Sequence, residues 1–372
     1  MIRLATVIET FGADFLTQYR GRLRPEHTRA MAAMQYCRTQ ASPKMQVKCT
    51  DCDHQKLVPH SCGHRHCPHC QHHESQQWLE RQMKKQVPAE YFLLTFTLPA
   101  EFRALVFAHQ RIAYELLMRC AWETVRIFSQ NDRRLRGTPG AIAVLHTNTR
   151  RLDFHPHVHL VMPAAAVDGE RKAWRTKPCG KGKKRYLFNH KALAKVFRAK
   201  LLAGITAAGL TPPGRSPKDW VVDCKSVGSG EPALIYLGRY LYRGVIREKD
   251  ILSCKDGQVS FRYQNAKTKR IECRTLPGAD FLWLVLQHVL PKGFRRARNF
   301  GFLHPNCKRL IALLHVLLNF APGRSMAWVK ERPPILCSCC GAAMVIVKTR
   351  IRTLRSGGDP VPIVLSGHTV TV

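Results

Sequence analysis

The hydrophobic pattern changes character several times along this chain. Residues 1 to about 36 carry apolar positions at helical spacing and read as two helices, the second beginning at Pro25. From 37 to 73 the periodicity fades, Cys and His crowd the sequence, and a polar helix, "ESQQWLERQMKKQ", leads out. "YFLLTFTLP" (91–99) then reads as a buried strand, 101–129 as a long helix, and "AIAVLHTN" (141–148) as a strand. In "RLDFHPHVHLVMP" (151–163) alternate residues face opposite ways, with Phe154, Pro156, Val158, Leu160 and Met162 on one face and His155, His157, His159 and Val161 on the other. A basic excursion (169–188) with a Gly/Lys run reads as a mobile loop, "HKALAKVFRAKLLAGI" (190–205) as an amphipathic helix, and "WVVDCKSVG" (220–228) as a strand. The segment "EPALIYLGRYLYRG" (231–244) has Pro232 near its first turn and Gly244 at its end, as a helix requires. Strands recur at 251–255, 258–263 and 270–275, and the helix "ADFLWLVLQHVL" follows. Then come the basic loop "KGFRRARNFGF", one more helix, and a tail containing "CSCCG".

Between 91 and 228 the order strand, helix, strand, strand, helix, strand is the ferredoxin-like βαββαβ arrangement of an α+β protein. Its antiparallel sheet has helices on one face, which leaves the other face for a site. The pattern divides the chain into a helical and zinc-ribbon domain (1–86), a catalytic domain (87–250) and a small mixed, basic C-terminal region with a Cys-rich knuckle (251–372).

Charge narrows the function. Sixty Lys and Arg against 25 Asp and Glu give +35, far beyond a need for solubility, and point to a polyanion such as nucleic acid. No apolar run reaches the roughly 18 residues of a spanning helix, so a membrane is not expected. The first residues lack the apolar core and cleavage site of a signal peptide, which points to the cytoplasm. In that reducing setting the 15 cysteines read as metal ligands and core residues rather than disulfides. Cys49 and Cys52, and Cys67 and Cys70, are two Cys-x-x-Cys pairs joined by a short loop, the pattern of a tetrahedral structural zinc. Cys62, His64 and His66 lie close enough in sequence to replace a ligand, or to form a second site with Cys37. Such a domain would present basic residues such as Arg65 to DNA. Cys337, Cys339 and Cys340 offer one further Cys-x-x-Cys without a clear second pair, readable as a zinc knuckle or a plain turn.

The helix at 231–244 carries Tyr236, Arg239, Tyr240 and Arg243 at i, i+3, i+4 and i+7, on one polar face. Tyr242 points elsewhere. Alone, this face reads as tyrosines stacking on bases or snorkelling. Beside a histidine strand it supports phosphoryl transfer, in which a metal held by two histidines polarises a phosphate, a tyrosine oxygen attacks it, and Arg239 and Arg243 steady the charge.

"HPHVH" followed downstream by "YLGRY" resembles the HUH nucleases. More closely, the chain resembles the two-tyrosine rolling-circle transposases of bacterial insertion sequences, the IS91 type. "CTDC" and "CGHRHCPHCQ" are similar to that family's zinc-binding domain. "YFLLTFTLP", "LHTNTRRLDFHPHVHLVM", "YLFNHKALAKVFRAKL", "YLGRYLYR" and "HVLPKGFRRARNFGF" are similar, in the same order, to its catalytic domain and the segment after it. The resemblance implies His157 and His159 as the pair that holds Mg2+ or Mn2+, and Tyr236 and Tyr240 as nucleophiles. It also implies single-stranded DNA at element ends and target DNA as partners, a nucleoid-associated location, and compatibility with self-association. No motif marks a third metal ligand; His155, Asp153 and Asp223 are candidates. Three other readings compete. They are a plasmid rolling-circle initiator or relaxase of the same chemistry, a histidine-triad nucleotide hydrolase, whose signature "HPHVHLV" also satisfies, and a non-catalytic zinc-dependent nucleic-acid binder.

Overall fold

The computed structural model describes residues 1–70, 72–179, 187–241, 244–322, 334–351, 363–365 and 368–370. In chain order the elements are α1 (Leu4–Gln18), α2 (Pro25–Gln35), β1 (Lys44–Cys49), β2 (Gln55–Pro59), α3 (His72–Met83), β3 (Tyr91–Thr97), α4 (Arg103–Ala108) and α5 (Gln110–Asn131). The sheet continues with β4 (Thr138–Asn148), β5 (Phe154–Pro163), β6 (Ala165–Asp168) and β7 (Ala173–Thr176), before α6 (His190–Ala207), β8 (Val222–Ser226) and α7 (Glu231–Leu241). Then come β9 (Ile251–Lys255), β10 (Gln258–Gln264), β11 (Ile271–Pro277), α8 (Gly278–Leu286), β12 (Ala297–Gly301) and α9 (Lys308–Leu317). The last elements are β13 (Ile335–Leu336), β14 (Ala343–Ile351), β15 (Ile363–Leu365) and β16 (His368–Val370).

The main sheet has the order β7-β6-β4-β5-β3-β8, with β12 also paired to β4. Its four central strands, β4-β5-β3-β8, are antiparallel neighbours in the ferredoxin-like order that the sequence predicts. The alternation in β5 sorts its side chains as expected. Val158, Leu160 and Met162 join Phe92, Leu94 and Phe96 of β3 against Leu117 and Val125 of α5 and Phe197 and Leu201 of α6. Each such buried apolar side chain contributes roughly 1.5–3 kcal/mol. On the other face Ile142, Val144 and Val161 pack beneath Leu234, Leu237 and Leu241 of α7, with Trp78 of α3 behind. Helix α7 therefore lies over the histidine face. It buries its leucines on the sheet and carries its tyrosines along the flank.

Two expectations change. The divisions at residues 86 and 250 do not separate cores. Phe11 and Phe15 of α1 and Met31 of α2 share one core with Phe261 of β10 and Phe281 and Leu286 of α8. In that core Tyr19 stacks on Trp283 at 4.8 Å. The "FRRAR" segment, expected as a basic loop, leads into strand β12 on the edge of β4. Its charges mask the strand, and two of the three arginines are held within the fold. Arg296 donates from Nε to the Leu145 carbonyl at 3.1 Å, and Arg298 grips both carboxylate oxygens of Glu115 at 2.6 Å. Phe300 stacks on Trp122 at 5.1 Å.

Strand β12 ends at Gly301, with φ +57° in the left-handed region. A Cβ there would overlap the Pro139 carbonyl oxygen of β4 and meet Trp122 at 2.9 Å. Gly301→Ala is therefore expected to destabilise the catalytic sheet by about 3 kcal/mol or more. Urea unfolding followed by circular dichroism measures this, and an unchanged midpoint would contradict the packing described.

Candidate active site and metal centres

Strands β4 and β5 pair so that His146 faces His157 and Val144 faces His159, with a bulge between His146 and Asn148. The tip of this hairpin is held from outside the sheet. Leu152 has φ +69° and is buried, and its carbonyl accepts from Gln287 Nε2 (3.1 Å) and lies 2.9 Å from His288 Nε2. Within that frame one nitrogen each from His146, His157 and His159 lies within 4.8 Å of the others. The ring centroids are 4.3 Å apart for His146 and His159 and 4.9 Å for His157 and His159. His157 Nδ1 lies 2.7 Å from the His155 carbonyl, which can only accept, so the proton sits on Nδ1 and Nε2 keeps a lone pair. His159 Nδ1 is 3.0 Å from Thr95 Oγ1. Burial lowers the pKa of His157 to about 4 and of His159 to about 3, and holds His146 well below the ordinary imidazole value. All three are thus neutral near pH 7, the form that ligates a metal. His146 Nε2 is buried with no hydrogen-bond partner among the described residues. An orphaned lone pair facing two more imidazoles fits a divalent ion.

His146 was not singled out by the sequence; its position opposite His157 exists only once β4 and β5 are in register. The three weaker candidates stay outside the cluster. His155 Nδ1 lies 3.3 Å from Arg103 Nη2, Asp153 is bound by Arg274 at 2.9 Å, and Asp223 is exposed on β8.

The two tyrosines differ. Tyr240 donates from its hydroxyl to Asn148 Oδ1 (2.6 Å) and accepts from the Thr147 amide (3.1 Å). Its ring stacks on His146, and the Arg296 guanidinium lies 4.3 Å from its centroid. Tyr236 is 52% exposed, with its ring 6.1 Å from His146 and 6.2 Å from His159. No hydrogen bond to its hydroxyl is seen among the described residues. Burial and the neighbouring Tyr240 raise its pKa, and the Arg150 charge lowers it. Tyr236 opens onto a groove of about 660 Å³, also lined by Asn148, Arg150, Arg247, Arg262 and Tyr263. Arg239 is exposed on α7. Arg243 and Tyr242 lie outside the described residues. Arg150 lines the groove beside Tyr236, and Arg296 lies against the Tyr240 ring. Arg296 belongs to the segment that reads as a basic loop, yet it is buried.

The cysteines regroup. Cys49, Cys52, Cys67 and Cys70 do not form one site. Cys67 and Cys70 meet Cys37 and Cys62, whereas Cys49 and Cys52 meet Cys337 and Cys340. Sequence proximity misleads here because β1 and β2 carry the first pair away, onto the antiparallel partner β14. In the inner group Cys70 Sγ lies 3.4 Å from Cys37 Sγ and 3.5 Å from Cys62 Sγ. His66 accepts from the Leu290 amide at 3.2 Å instead of joining the cluster, and Arg65 donates to the Phe294 carbonyl at 2.7 Å instead of facing solvent freely.

The sheet thus carries clustered histidines with a tyrosine helix over them and cysteine clusters beside them, and comparisons with known proteins give its class. A family model described as "Transposase zinc-binding domain" matches residues 7–98, and one described as "Putative transposase" matches residues 140–310. The chain belongs to the IS91 family of transposases. It is 31% identical to "Putative transposase y4qJ" of Sinorhizobium fredii, over 78% of this chain and 79% of that protein. It is 28% identical to "Transposase for insertion sequence element IS801" of Pseudomonas savastanoi pv. phaseolicola, over 87% of this chain and 84% of that protein. The histidine-triad hydrolase and passive-binder alternatives give way to this membership. Among the described residues no helix is long and apolar enough to cross a membrane.

The zinc-binding match and the thiolate clusters together support structural zinc. Cys67 has no exposed surface in the inner cluster. Cys67→Ser is expected to release one equivalent of zinc and to unfold the N-terminal region, because metal binding supplies much of the folding free energy of such a unit. Atomic absorption with proteolysis mapping reads both effects, and a variant that keeps its full zinc content would show that Cys67 is not a ligand.

Proposed function

We propose that this transposase nicks and rejoins single-stranded DNA at element ends through a 5′-phosphotyrosine intermediate, in a rolling-circle scheme. The observation that carries the reading is Tyr236, its hydroxyl uncommitted, beside the neutral imidazoles of His146, His157 and His159 and at the mouth of an arginine-lined groove. A divalent ion held by those imidazoles would neutralise charge on the scissile phosphate and polarise its oxygens. The donor set is all nitrogen, with no carboxylate among the described residues, which suits Mn2+ better than Mg2+.

Tyr236 oxygen attacks phosphorus, the bond to the 3′ oxygen breaks, and the 3′ hydroxyl departs while the 5′ phosphate stays on the enzyme. The phenolic proton passes to solvent in the open groove, and the leaving 3′ oxygen takes one up. Arg150, exposed beside Tyr236, steadies the phosphate, and Tyr263 in the same groove offers a ring on which a base can stack. Tyr240 is held in reserve by Asn148 and Thr147, to accept the second strand once the first tyrosine is occupied.

The test is incubation with single-stranded end DNA and Mn2+ or Mg2+, followed by peptide mapping of the denaturant-stable adduct. The first adduct is expected on Tyr236, with Mn2+ effective at lower concentration. Tyr236→Phe should abolish it. Tyr240→Phe should keep the first cleavage and lose rejoining. His146→Ala, like His157→Ala and His159→Ala, should cost at least the roughly 10- to 100-fold that follows loss of even an outer partner of a metal site. His155→Ala should be milder. An adduct mapped to any other residue would overturn the assignment.

Affinity for single strands should fall steeply with salt, by about 0.7 in log K per log salt for each phosphate contacted. Arg150→Ala should flatten that slope by about one such step. A salt response equal to that of the parent protein would remove Arg150 from the DNA path.

A further inference from the structure

We infer that Cys49, Cys52, Cys337 and Cys340 form a second structural zinc site, a clasp that ties the C-terminal part of the chain to its N-terminal region. The zinc-binding match ends at residue 98 and the transposase match at residue 310, so Cys337 and Cys340 lie outside both. Strands β13, β14, β1 and β2 form one sheet, with β1 antiparallel to β14. That pairing brings two Cys-x-x-Cys turns face to face. Cys49 Sγ lies 3.4 Å from Cys340 Sγ, and Cys52 Sγ lies 3.7 Å from both Cys337 Sγ and Cys340 Sγ. Four sulfurs at 2.3 Å from a tetrahedral zinc stand about 3.8 Å apart, so the cage has the size of that ion.

Each turn is also built to carry thiolate charge. The amides of Asp51 and Cys52 both point at Cys49 Sγ at 3.4 Å, and the amide of Cys339 points at Cys337 Sγ at 3.4 Å. Gly341, with φ +76°, closes the second turn by donating to the Cys337 carbonyl at 3.0 Å. Cys339 lies outside the cluster and is exposed.

The sheet needs such a staple. Its buried apolar side chains are Val47, Cys49, Cys337 and Met344, and two of these four are the cysteines themselves. Leu57, Leu336, Val345, Ile346 and Val347 are each more than half exposed. A core this small does not hold four strands by hydrophobic burial, and small units of this kind depend on metals or disulfides. The ligands come from opposite ends of the chain, Cys52 and Cys337 lying 285 residues apart, so a bound ion closes a long loop, where a metal clip has the most chain entropy to remove. Donors that are all thiolate in a closed cage select zinc over the hard cations.

The experiment uses the full chain carrying His157→Ala and His159→Ala, so that the imidazole centre contributes no metal. We expect two zinc per chain, both bound to sulfur alone at about 2.3 Å by X-ray absorption. Adding Cys337→Ser and Cys340→Ser should leave one zinc per chain and make residues 334–351 sensitive to protease. Cys339→Ser should keep two. A readout that does not depend on the serine variants folding is differential alkylation of the unmutated chain. Removing the outer zinc should expose Cys49, Cys52, Cys337 and Cys340 to label together. The inference is overturned by one zinc in the starting protein, by iron in place of the second zinc, by two zinc in the Cys337/Cys340 variant, or by labelling of Cys337 and Cys340 that zinc does not reduce. None of these outcomes bears on the tyrosine adduct, so the clasp and the nicking reading stand or fall separately.

Discussion

The antiparallel register of β4 on β5 is the interaction on which the rest of the site depends. It sets His146 opposite His157, and a slip of one residue would turn one strand's row of side chains to the opposite face of the sheet, parting His146 from His157 and His159. The same strand supplies three other parts. Its far edge binds β12, whose approach delivers Arg296 beneath Tyr240. Its end, Thr147 and Asn148, holds the Tyr240 hydroxyl. The turn after it is gripped through Leu152 by α8, an element of the core that also contains α1 and α2. The N-terminal helices thus bear on the register of the histidines through a chain of packed side chains, without touching the site.

The spacing of Tyr236 and Tyr240 makes them look equivalent along the helix, and the fold makes them unequal. A phenol that already donates to an amide oxygen and accepts from a backbone amide must give up both bonds before it can attack, and partly buried hydrogen bonds of this kind are each worth about 1 kcal/mol. Tyr236 has no such debt among the described residues and faces the groove. In the proposed scheme of two attacks in order, that asymmetry would let the uncommitted oxygen meet the first phosphate while the restrained one waits.

Much of this was legible in the chain. The period-two alternation of residues 154–162 assigned every side chain of β5 to its face, and the strand–helix order gave the sheet. These signals are local, and the structure follows them. What escaped were matters of tertiary pairing. His146 is one histidine in an apolar strand, and only its cross-strand neighbour marks it. Arg296 looked like one charge in a basic run, because sequence does not tell a phosphate contact from a guanidinium buried on a carbonyl. Cys49 and Cys67 looked like members of one ribbon, because spacing favours the nearest pair. Their true partners are Cys340, brought to Cys49 by the pairing of β1 with β14 from the far end of the chain, and Cys37, just past the end of α2.

The inner cysteine group bears on the tyrosine helix by contact with the segment that follows it. Residues 62–70 pack against the chain where it leaves α7. A Cβ on Gly244 would lie 3.2 Å from the His66 carbonyl oxygen and 3.5 Å from Pro68, so the segment after the helix runs close against residues 66–68. His69 Nε2 pairs with Glu248 at 2.9 Å, and the other oxygen of that buried carboxylate accepts from the Leu4 amide at 2.8 Å. One turn earlier, Ser75 of α3 donates to the Gly238 carbonyl at 3.1 Å, and Trp78 lies against the same glycine. Helix α7 is thereby held along its second half by the loop the cysteines shape and by the helix that follows them. A nucleophile misplaced by about 1 Å can lose a hundredfold in rate. A metal-fixed loop that sets the position of α7 gives the zinc-binding half of the chain a direct physical bearing on where Tyr236 and Tyr240 stand, before any contact with DNA is considered.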